Sequence, residues 1–563
     1  MSQTLPIRVV ATALLGAGIL VAFLLIRWVL GTLRPKGFPP GPPIIPGLGN
    51  LHQMPLEKPY LKFHEWAQQY GDIVGLKTGT GNLVLLNTPA LVHELFDKRG
   101  ATCSDRPVNH ILTRHVFSGP EEKSIAILQY DEYYRRWRKS FQFILGPAGI
   151  KRLLPLLESE ASSLCHKFLG NDGPDSSNSS SNRYEQNLRH WALAVPLVAT
   201  TGERLSDMPA DYADKLCHSQ EELLGVLLPG AAPPVDIFPV LKYVPEFLGA
   251  RWKAKARYAR KLLCEDADNY LSGAKKTYAQ IEKDPDSVGF DSLLPKIMKE
   301  QAASDGLDKE NRFTETELAY VGQAAVGAAV DATLATFKNL MVAFAAFPET
   351  LLKAQEEMDR VAGGEPLSGE RVDELVYLKA CVSEVLRWRP TTPQALPHVL
   401  TRDEYLGSYF FPKGTMFIAN AWAIHRNEDE YDRPYDFIPE RFLDNPFGIR
   451  PSLFTASENL ENSGRRALYA FGSGRRQCPG EQFAFTSVLL AASKVVWAYD
   501  IRPPSSGGKF DVSVETGFKD GTVTEPIRPE VMFTVRGEEK RAGVVADAEK
   551  LKDIARELLG LEI

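Results

Sequence analysis

The chain has 563 residues, enough for three or four domains of about 150 residues or for one unusually large fold with appendages. Apolar residues make up 44% and charged residues 24%, proportions typical of a protein that folds in water, which excludes a disordered chain and a multi-span membrane protein. The net charge of -6 argues against nucleic-acid binding over the whole surface. The six cysteines contain no CxxC pair, which excludes a disulfide scaffold and a zinc ribbon and suits a reducing compartment.

An apolar stretch lies between Arg8 and Arg27 near the start of the chain. As a helix it rises about 27 Å, which matches a thin bilayer such as that of the endoplasmic reticulum. A cleaved signal peptide has a shorter apolar core and a small-residue cleavage site, and it and a buried core helix are the alternative interpretations. We expect residues 1–36 to be a membrane anchor that spans the bilayer at about residues 9–30.

The charges around this stretch give the anchor an orientation. Arg27, Arg34 and Lys36 follow the span, whereas only Arg8 and the amino terminus precede it. The positive-inside rule therefore places the chain after residue 30 in the cytosol. The sequence predicts a single-pass protein of the endoplasmic reticulum membrane with a cytosolic domain.

Beyond the anchor, a proline-rich spacer and one large domain are predicted. The prolines of residues 37–43 cannot continue a helix, so this segment is a stiff spacer before a domain at 44–536. Within that domain, 72–87 predicts a hairpin and 407–420 further strand, while most other patterned segments have helical spacing. Residues 537–563 predict an amphipathic helix that packs on the domain. The fold class is mainly α with a small β part.

Cys478 lies in the loop FGSGRRQCPG, whose residue types suit an anionic sulfur ligand of a metal. Gly474 and Gly480 let the backbone approach a flat ligand and direct N–H groups at sulfur. Arg476 supplies a cation for a carboxylate, and Phe471 can shield the far side of the metal. The other five cysteines are predicted to be small buried side chains.

With this loop the chain resembles the cytochrome P450 family, whose signature FxxGxRxCxG is matched at all five defined positions. The resemblance extends from the anchor to about residue 536. It implies the P450 fold and a haem whose iron is held by the thiolate of Cys478, a ligand that favours O–O cleavage. Pro479 suits the first position of a helix, so we expect Cys478 at the start of the apolar helix that follows, whose dipole favours a thiolate.

Glu384 and Arg387 lie three residues apart and so on one face of a helix. Such a pair is usually a surface feature, but apolar neighbours indicate that this one is buried and needs further partners. Arg441 in the segment PERF resembles the family's second arginine. The resemblance implies a Glu-Arg-Arg triad with a structural role beside the haem loop.

The resemblance also implies cations for the haem propionates. Arg138 matches the arginine of the family motif WxxxR, with Tyr134 where tryptophan is usual, and Arg476 belongs to the cysteine loop. His398 matches a position that often binds a propionate, although a lone histidine is equally well a satisfied core residue.

A basic face near the haem is a further expectation. Its members crowd one helix and the cysteine loop: Arg135, Arg136, Arg138, Lys139, Arg475 and Arg476. Such a run can simply be a solvated face. The resemblance implies that it docks the acidic flavodoxin-like domain of an NADPH–cytochrome P450 reductase, since complementary charge speeds encounters.

Residues 318–337 have Asp331 as their only charge and many small side chains. They could span a membrane by length, but their composition favours a buried helix packed against a ligand. They align with the family's oxygen-binding signature AGx(D/E)T, where Ala329 replaces glycine and Ala332 replaces threonine. Because Thr333 is rotated by about 100° from Ala332, we expect a substrate hydroxyl, or a water near Asp331, to deliver protons instead.

Three functions follow from these residues and the resemblance. The first is a monooxygenase that inserts one oxygen atom into a small apolar substrate with NADPH and a reductase, as in fungal secondary metabolism. The second, motivated by Ala332, is an isomerase or dehydratase that needs no reductase, and the third is a non-catalytic haem-binding protein. The residues predicted to line a roomy, apolar substrate pocket are Ala325, Ala328, Ala329, Leu227, Leu228, Ala395 and Leu396.

Overall fold

The structure is a computed structural model that describes residues 4–171, 180–228, 230–284, 289–303, 312–456, 464–504 and 510–560. Within these ranges the α-helices are α1 (Thr4–Gly31), α2 (Pro59–Tyr70), α3 (Pro89–Val92), α4 (Glu132–Leu145), α5 (Pro147–Phe168), α6 (Ser180–Thr201), α7 (Tyr212–Leu227), α8 (Trp252–Lys283), α9 (Leu293–Ala303), α10 (Glu315–Ala346), α11 (Pro348–Ala362), α12 (Val376–Trp388), α13 (Ala421–Ile424), α14 (Pro451–Ala456), α15 (Glu481–Ala498) and α16 (Glu538–Leu558). The strands are β1 (Ile73–Thr78), β2 (Gly81–Leu86), β3 (His398–Val399), β4 (Glu404–Leu406), β5 (Tyr409–Phe411), β6 (Met416–Ala419), β7 (Tyr499–Arg502) and β8 (Met532–Val535).

The strands form three small sheets at the edge of a helical body. The largest has the order β1-β2-β6-β3, in which β1 and β2 are the antiparallel hairpin predicted for residues 72–87 and β6 is parallel to β2. The other two sheets are the pairs β4-β5 and β7-β8. The predicted class, mainly α with a small β part, is confirmed.

Helix α10 is the central element of the helical body and packs against α6, α8, α12 and α15. It begins with a capping box, in which the backbone N–H of Glu317 donates to Oγ1 of Thr314 (3.2 Å) and that of Thr314 donates to Oε2 of Glu317 (2.9 Å). Most of the helix is buried, as its composition predicted.

Helix α1 contains the apolar stretch and stays exposed along its length. Among the described residues, the segments long and apolar enough to cross a membrane are Val9–Gly31, with mean hydropathy 2.7 and no part buried, and the mostly buried α10. The end of α1 is held firmly by the domain. Trp28 Nε1 donates to the carbonyl oxygen of Gly47 (2.8 Å), and the N–H of Gly47 donates to Oγ1 of Thr32 (2.8 Å).

The terminal helix α16 packs against α5 and α15, as the amphipathic pattern predicted, and buries Val544 and Leu551. A buried charge cluster joins the three helices. Nζ of Lys494 on α15 lies 3.2 Å from Oε1 of Glu158 on α5 and 2.9 Å from Oδ2 of Asp547 on α16. Because Lys494 is only 2% exposed, both carboxylates are needed to compensate its desolvation.

Replacing the α16 carboxylate tests this cluster. We expect Asp547→Ala to lower the free energy of unfolding by about 3 kcal/mol, the lower end of the cost of breaking a buried ion pair, because Glu158 remains. The measurement is urea denaturation of the purified protein. Glu549→Ala, at an exposed position of α16, is the control, and equal stability of the two variants would contradict the assignment.

Candidate active site

The cysteine loop lies immediately before α15. The N–H of Cys478 donates to the carbonyl oxygen of Phe471 (2.8 Å), which closes the loop. Gly474 has φ +66°, and a Cβ atom there would lie 2.2 Å from the carbonyl oxygen of Phe96, so only glycine fits. The helix begins two residues later than the expectation that Pro479 opens it. Gly480 is the N-cap, and its carbonyl oxygen accepts a hydrogen bond from the N–H of Ala484 (2.9 Å).

The thiol of Cys478 lies on a cavity of about 310 Å³. The side chain is exposed, and its exposed surface faces this cavity. Burial raises the pKa of the thiol, while a hydrogen bond from the backbone of Gly480 and the charge of Arg138 oppose that shift. The loop thus aims an N–H group at the sulfur, as the two-glycine pattern predicted.

All three predicted propionate partners, Arg138, Arg476 and His398, reach the same cavity as Cys478, and hydrogen bonds fix the orientation of the last two. Arg476 donates through Nε to the carbonyl oxygen of Ser104 (2.7 Å), and its guanidinium lies 3.8 Å from the ring centre of Tyr134. His398 bonds through Nδ1 to the carbonyl oxygen of Cys103 (2.8 Å). Burial, together with the positive charges of neighbouring arginines, lowers the pKa of His398 well below 6.5.

Arg106 is a cavity residue that sequence reasoning missed. It is 7% exposed and donates to the carbonyl oxygens of Leu396 (2.9 Å) and Pro397 (2.7 Å). Burial and the nearby charge of Arg476 lower its pKa to about 9. The residue stands in a loop without a motif or helical spacing, so no sequence signal singles it out.

Positive charge is concentrated in this cavity. Arg106, Arg138 and Arg476 line it together with His398, and the carboxylates of Asp105 and Asp131 act on Arg476 without forming an ion pair with it. Arg106 and Arg476 are buried and Arg138 is half-buried, so the cavity fits a group that carries carboxylates. Within the described ranges no cluster of three His, Cys, Asp or Glu side chains could bind a metal.

Helix α10 presents two different faces. Ala332 and Thr333 line the Cys478 cavity, and the buried hydroxyl of Thr333 has no hydrogen-bond partner among the described residues. Thr333 thus borders the cavity in spite of its rotation from Ala332, but its hydroxyl is not exposed there, and the residue also lines a small apolar cavity against α5 and α6. Asp331 lines a second, polar cavity together with Arg189 and Lys338. Burial and neighbouring carboxylates raise the pKa of Asp331 to about 7.

The predicted substrate-pocket residues are divided between the Cys478 cavity and the polar cavity of Asp331. Five of them line the Cys478 cavity: Ala325, Ala328, Ala329, Ala395 and Leu396. Two do not, since Leu228 lines the second cavity and Leu227 packs against the core. The reason is that α7 crosses α10 on the face that carries Asp331.

The Glu-Arg-Arg residues meet in one buried cluster. Arg387 donates through Nε and Nη2 to the two carboxylate oxygens of Glu384 (2.7 and 2.8 Å), and Arg441 Nε lies 3.1 Å from Oε2 of the same carboxylate. Arg387 also donates to the carbonyl oxygen of His425 (2.9 Å), whose ring accepts from the N–H of Tyr469 (3.0 Å). The cluster is thus connected by hydrogen bonds to the segment that enters the cysteine loop.

Only part of the predicted basic face is free at the surface. Arg136 pairs with Glu317 (3.2 Å), and Arg138 and Arg476 line the cavity. The exposed members are Arg135, Lys139 and Arg475.

A cavity with one buried thiol, unpaired internal cations and a small-residue helix is typical of a protein that binds a metal-containing prosthetic group through thiolate. The comparisons give the family. The family model for cytochrome P450 matches residues 39–526, and the chain belongs to the cytochrome P450 family.

Similar proteins agree with this assignment. A cytochrome P450 monooxygenase of a Penicillium species, grgG, is 37% identical over 525 residues, which cover 92% of this chain and 91% of the relative. A cytochrome P450 monooxygenase of Arthrobotrys oligospora is 31% identical and covers 99% of this chain and 100% of the relative. A zebra fish cytochrome P450 structure with progesterone has a TM-score of 0.65 at 24% identity, covering 85% of this chain and 99% of that one. The protein is a cytochrome P450 monooxygenase.

The family implies a haem-thiolate centre, and the residues of this cavity fit it. The thiol of Cys478 supplies a soft ligand for iron, and the unpaired cations suit the two propionates of a haem. The loop glycines permit the close approach of a flat ligand, since a side chain at Gly474 would collide with the backbone.

Removing the thiol tests the iron ligand. We expect Cys478→Ala to abolish the thiolate-type absorption spectrum of the reduced carbon monoxide adduct, because the other five cysteines lie outside the cavity. Cys264→Ala, which removes a thiol that contacts the hydroxyl of Tyr320, is the control and should keep the spectrum. A thiolate spectrum in the Cys478 variant would overturn the assignment.

Removing the shared carboxylate tests the buried cluster. We expect Glu384→Ala to lower the free energy of unfolding by about 3–5 kcal/mol, because Arg387 and Arg441 lose their counter-charge, and to yield little haem-loaded protein. The measurements are urea denaturation and haem absorbance per protein. Glu374→Ala removes an exposed pair with Arg371 at the same sequence spacing and should cost about 0–1 kcal/mol. Similar losses in both variants would show that burial of the cluster is unimportant.

Proposed function

We propose that Cys478 binds the iron of a haem and that Arg106, Arg138, Arg476 and His398 bind its propionates. The observation that carries the proposal is the placement of the thiol and the unpaired cations on one cavity. Haem, when bound, supplies the redox chemistry by which one atom of O₂ is inserted into a substrate. The triad of Glu384, Arg387 and Arg441 has a structural role in this proposal.

Two groups beside the sulfur favour the anionic form that ligation requires, against the burial that raises the pKa of the thiol. The N–H of Gly480 donates to sulfur and Arg138 contributes positive charge, so both stabilise the thiolate against its desolvation. A propionate beside His398 would favour the protonated ring, whose Nδ1–H is already directed at the carbonyl oxygen of Cys103. Phe471 and Phe483 line the cavity and exclude water around the sulfur.

Proton delivery is assigned to Thr333. Asp331 lines the second cavity, so a water bound by its carboxylate is on the other face of α10. Thr333 borders the Cys478 cavity, and its buried hydroxyl, which has no hydrogen-bond partner among the described residues, can bind a water there once the side chain rotates. This hydroxyl supports oxygen chemistry more directly than a reductase-free rearrangement, the function that Ala332 suggested.

The electron donor in this proposal is an NADPH–cytochrome P450 reductase. Arg135, Lys139 and Arg475 form an exposed basic group on α4 and the cysteine loop, next to the buried thiol. An acidic flavodoxin-like domain would be attracted to this group, and the encounter would weaken with salt. The fungal relatives support a role in secondary metabolism.

The membrane arrangement is proposed from the anchor and a second apolar surface. We assign residues 1–36 to the anchor, 37–43 to the spacer, 44–536 to the catalytic domain and 537–563 to the terminal helix, with the endoplasmic reticulum as the site. The packing of Trp28 on Phe238 (5.4 Å between rings) brings the anchor next to an exposed apolar segment. Its most exposed side chains are Val240, Tyr243, Phe247 and Leu248.

The amount of product formed per NADPH consumed tests both the proposed reaction and the role of Thr333. The substrate is first identified by comparing the metabolites of hosts with and without the protein and its reductase. Turnover of that substrate should require the reductase, NADPH and O₂. We expect Thr333→Ala to lower product formed per NADPH by about tenfold or more, since positioned proton transfer contributes about 10²–10⁴-fold. Thr333→Ser should restore the ratio.

Two further variants complete this test. Thr336→Ala, which removes a hydroxyl that donates to the carbonyl oxygen of Ala332 and lies outside the cavity lining, should change the ratio little. Ala332→Thr adds a hydroxyl one position earlier and should leave product formation largely intact. An unchanged ratio in Thr333→Ala would exclude Thr333 as the relay, whereas turnover without reductase would exclude the monooxygenase reaction.

Truncation tests the membrane arrangement. We expect deletion of residues 1–36 to release much of the protein from microsomal membranes, with some retained through the second apolar surface. Adding Tyr243→Ser and Phe247→Ser should complete the release, because both rings are about 85% exposed and free to enter the headgroup region. Tyr405→Ser, at another exposed aromatic residue, is the control. Full retention of the combined variant would show that another surface binds the membrane.

A further inference from the structure

The start of α8 carries a dense group of cations beside the second apolar surface. Residues 236–261 contain seven lysines and arginines but only two acidic residues, whereas the whole chain has a net charge of -6. The turn Leu112–Val116 packs against α8 and adds Arg114. A positive region of this density suits an anionic partner.

Contacts of α8 join this charge to the second apolar surface. Nζ of Lys253 donates to the carbonyl oxygens of Lys242 (2.9 Å) and Val244 (2.8 Å), so its ammonium group lies against the apolar segment. Further along the helix, Nη1 of Arg257 lies 2.6 Å from Oε1 of Glu246. These contacts place the cations and the exposed apolar side chains next to each other on one part of the protein surface.

Three cations of this region are exposed and have no carboxylate partner among the described residues: Arg114, Arg251 and Lys255. We call them, together with Lys253, the α8 basic surface. The dipole of α8, a helix of 32 residues, adds partial positive charge at the same end, where no side chain of the described residues caps the helix. The α8 basic surface therefore presents positive charge to solvent that the protein itself does not neutralise.

Two histidines lie within this positive region. The rings of His110 and His115 are 5.6 Å apart, and His115 packs edge-on against Trp252, the first residue of α8 (5.1 Å between ring centres). Burial and the charges of neighbouring cations lower the pKa of both rings, although Asp236 and Glu246 oppose the shift. The positive charge thus reaches from α8 to the segment that carries the two histidines.

We propose that the α8 basic surface binds anionic phospholipid headgroups of the cytosolic leaflet beside the second apolar surface. This inference rests on the membrane arrangement of the proposed function and adds a selectivity for lipid charge. When the apolar side chains lie in the headgroup region, the adjoining cations lie at the level of the lipid phosphates. A soluble anion would match the charge but leave Tyr243 and Phe247 in water, whereas a bilayer surface covers both groups at once.

A fluorophore on the second apolar surface measures its insertion while the anchor stays in the membrane. Leu248→Cys is labelled with the environment-sensitive dye NBD in a Cys264→Ala background, because four of the other cysteines are buried and Cys478 faces the haem cavity. The full-length, haem-loaded protein is reconstituted in vesicles of phosphatidylcholine, with or without about one fifth phosphatidylserine. The emission wavelength of the dye gives the ratio of inserted to exposed apolar surface.

Phosphatidylserine should deepen the insertion through the α8 basic surface. We expect it to raise the ratio of inserted to exposed dye by about tenfold or more at about 0.01 M salt, and about 1 M salt should remove the difference, because the charges are then screened. The combined substitutions Arg114→Gln, Arg251→Gln and Lys255→Gln should reduce the effect of phosphatidylserine to within about twofold, since each cation near the surface contributes about fivefold. Insertion into pure phosphatidylcholine should stay unchanged.

The matched control removes three exposed cations from α16, which packs on α5 and α15: Lys550→Gln, Lys552→Gln and Arg556→Gln. The control should keep the full response to phosphatidylserine. An equal loss in the control would show that the net charge of the protein causes the response, and the inference would be wrong.

Three further outcomes separate this inference from the proposed function, with the carbon monoxide spectrum confirming the haem-loaded state. Equal insertion into both kinds of vesicle would overturn the selectivity for anionic lipid and leave the membrane arrangement intact. If the triple substitution lowers reductase-dependent NADPH oxidation but keeps the response to phosphatidylserine, the surface binds the reductase and not lipid. If the dye stays exposed in every vesicle, the second apolar surface does not enter the membrane, and the proposed arrangement fails first.

Discussion

The site depends on positive charge gathered around one interior cavity. Arg106, Arg138 and Arg476 surround it, and carbonyl oxygens and aromatic faces contact the first and third. Carbonyl dipoles hold these groups in place but do not neutralise them, so an anion in the cavity would stabilise them. Under the proposed function, the thiolate of Cys478 and the propionates of a haem would supply that charge together, and the stability of the fold would depend on the cofactor.

Fixed positions around the cavity come from a chain of buried hydrogen bonds. Glu384 balances Arg387 and Arg441, Arg387 holds the backbone of His425, and the ring of His425 accepts from the segment that enters the cysteine loop. Each link is buried and has a definite partner, so displacement of one member transmits to the next. The sulfur is therefore placed by a network that begins two elements away from it.

Local patterns in the sequence predicted the parts of the site that depend on local geometry. The loop around Cys478 and the pair of Glu384 and Arg387 have short spacings that specify their arrangement, and the structure places them as expected. Arg106 could not be found, because its role depends on a loop that crosses the cavity from a distant part of the chain. The start of α15 also differs from the prediction, since the helix begins at Glu481 with Gly480 as its N-cap.

Helical periodicity alone also could not predict which cavity each face of α10 lines. Asp331, Ala332 and Thr333 are adjacent in sequence, yet they divide between two cavities because α7 and the segment around Glu525 cover only one face. The same packing moved Leu228 away from the predicted substrate pocket. Knowing which neighbour covers which face requires the tertiary structure, which a single sequence does not contain.

The charge cluster of Lys494 has a consequence for the order in which the protein is made. Its partner Asp547 lies 53 residues further along the chain, on α16, so one of the two carboxylates is synthesised only after the cysteine loop and α15. Until then, only Glu158 compensates the desolvation of Lys494, and the packing of α15 against α16 cannot form.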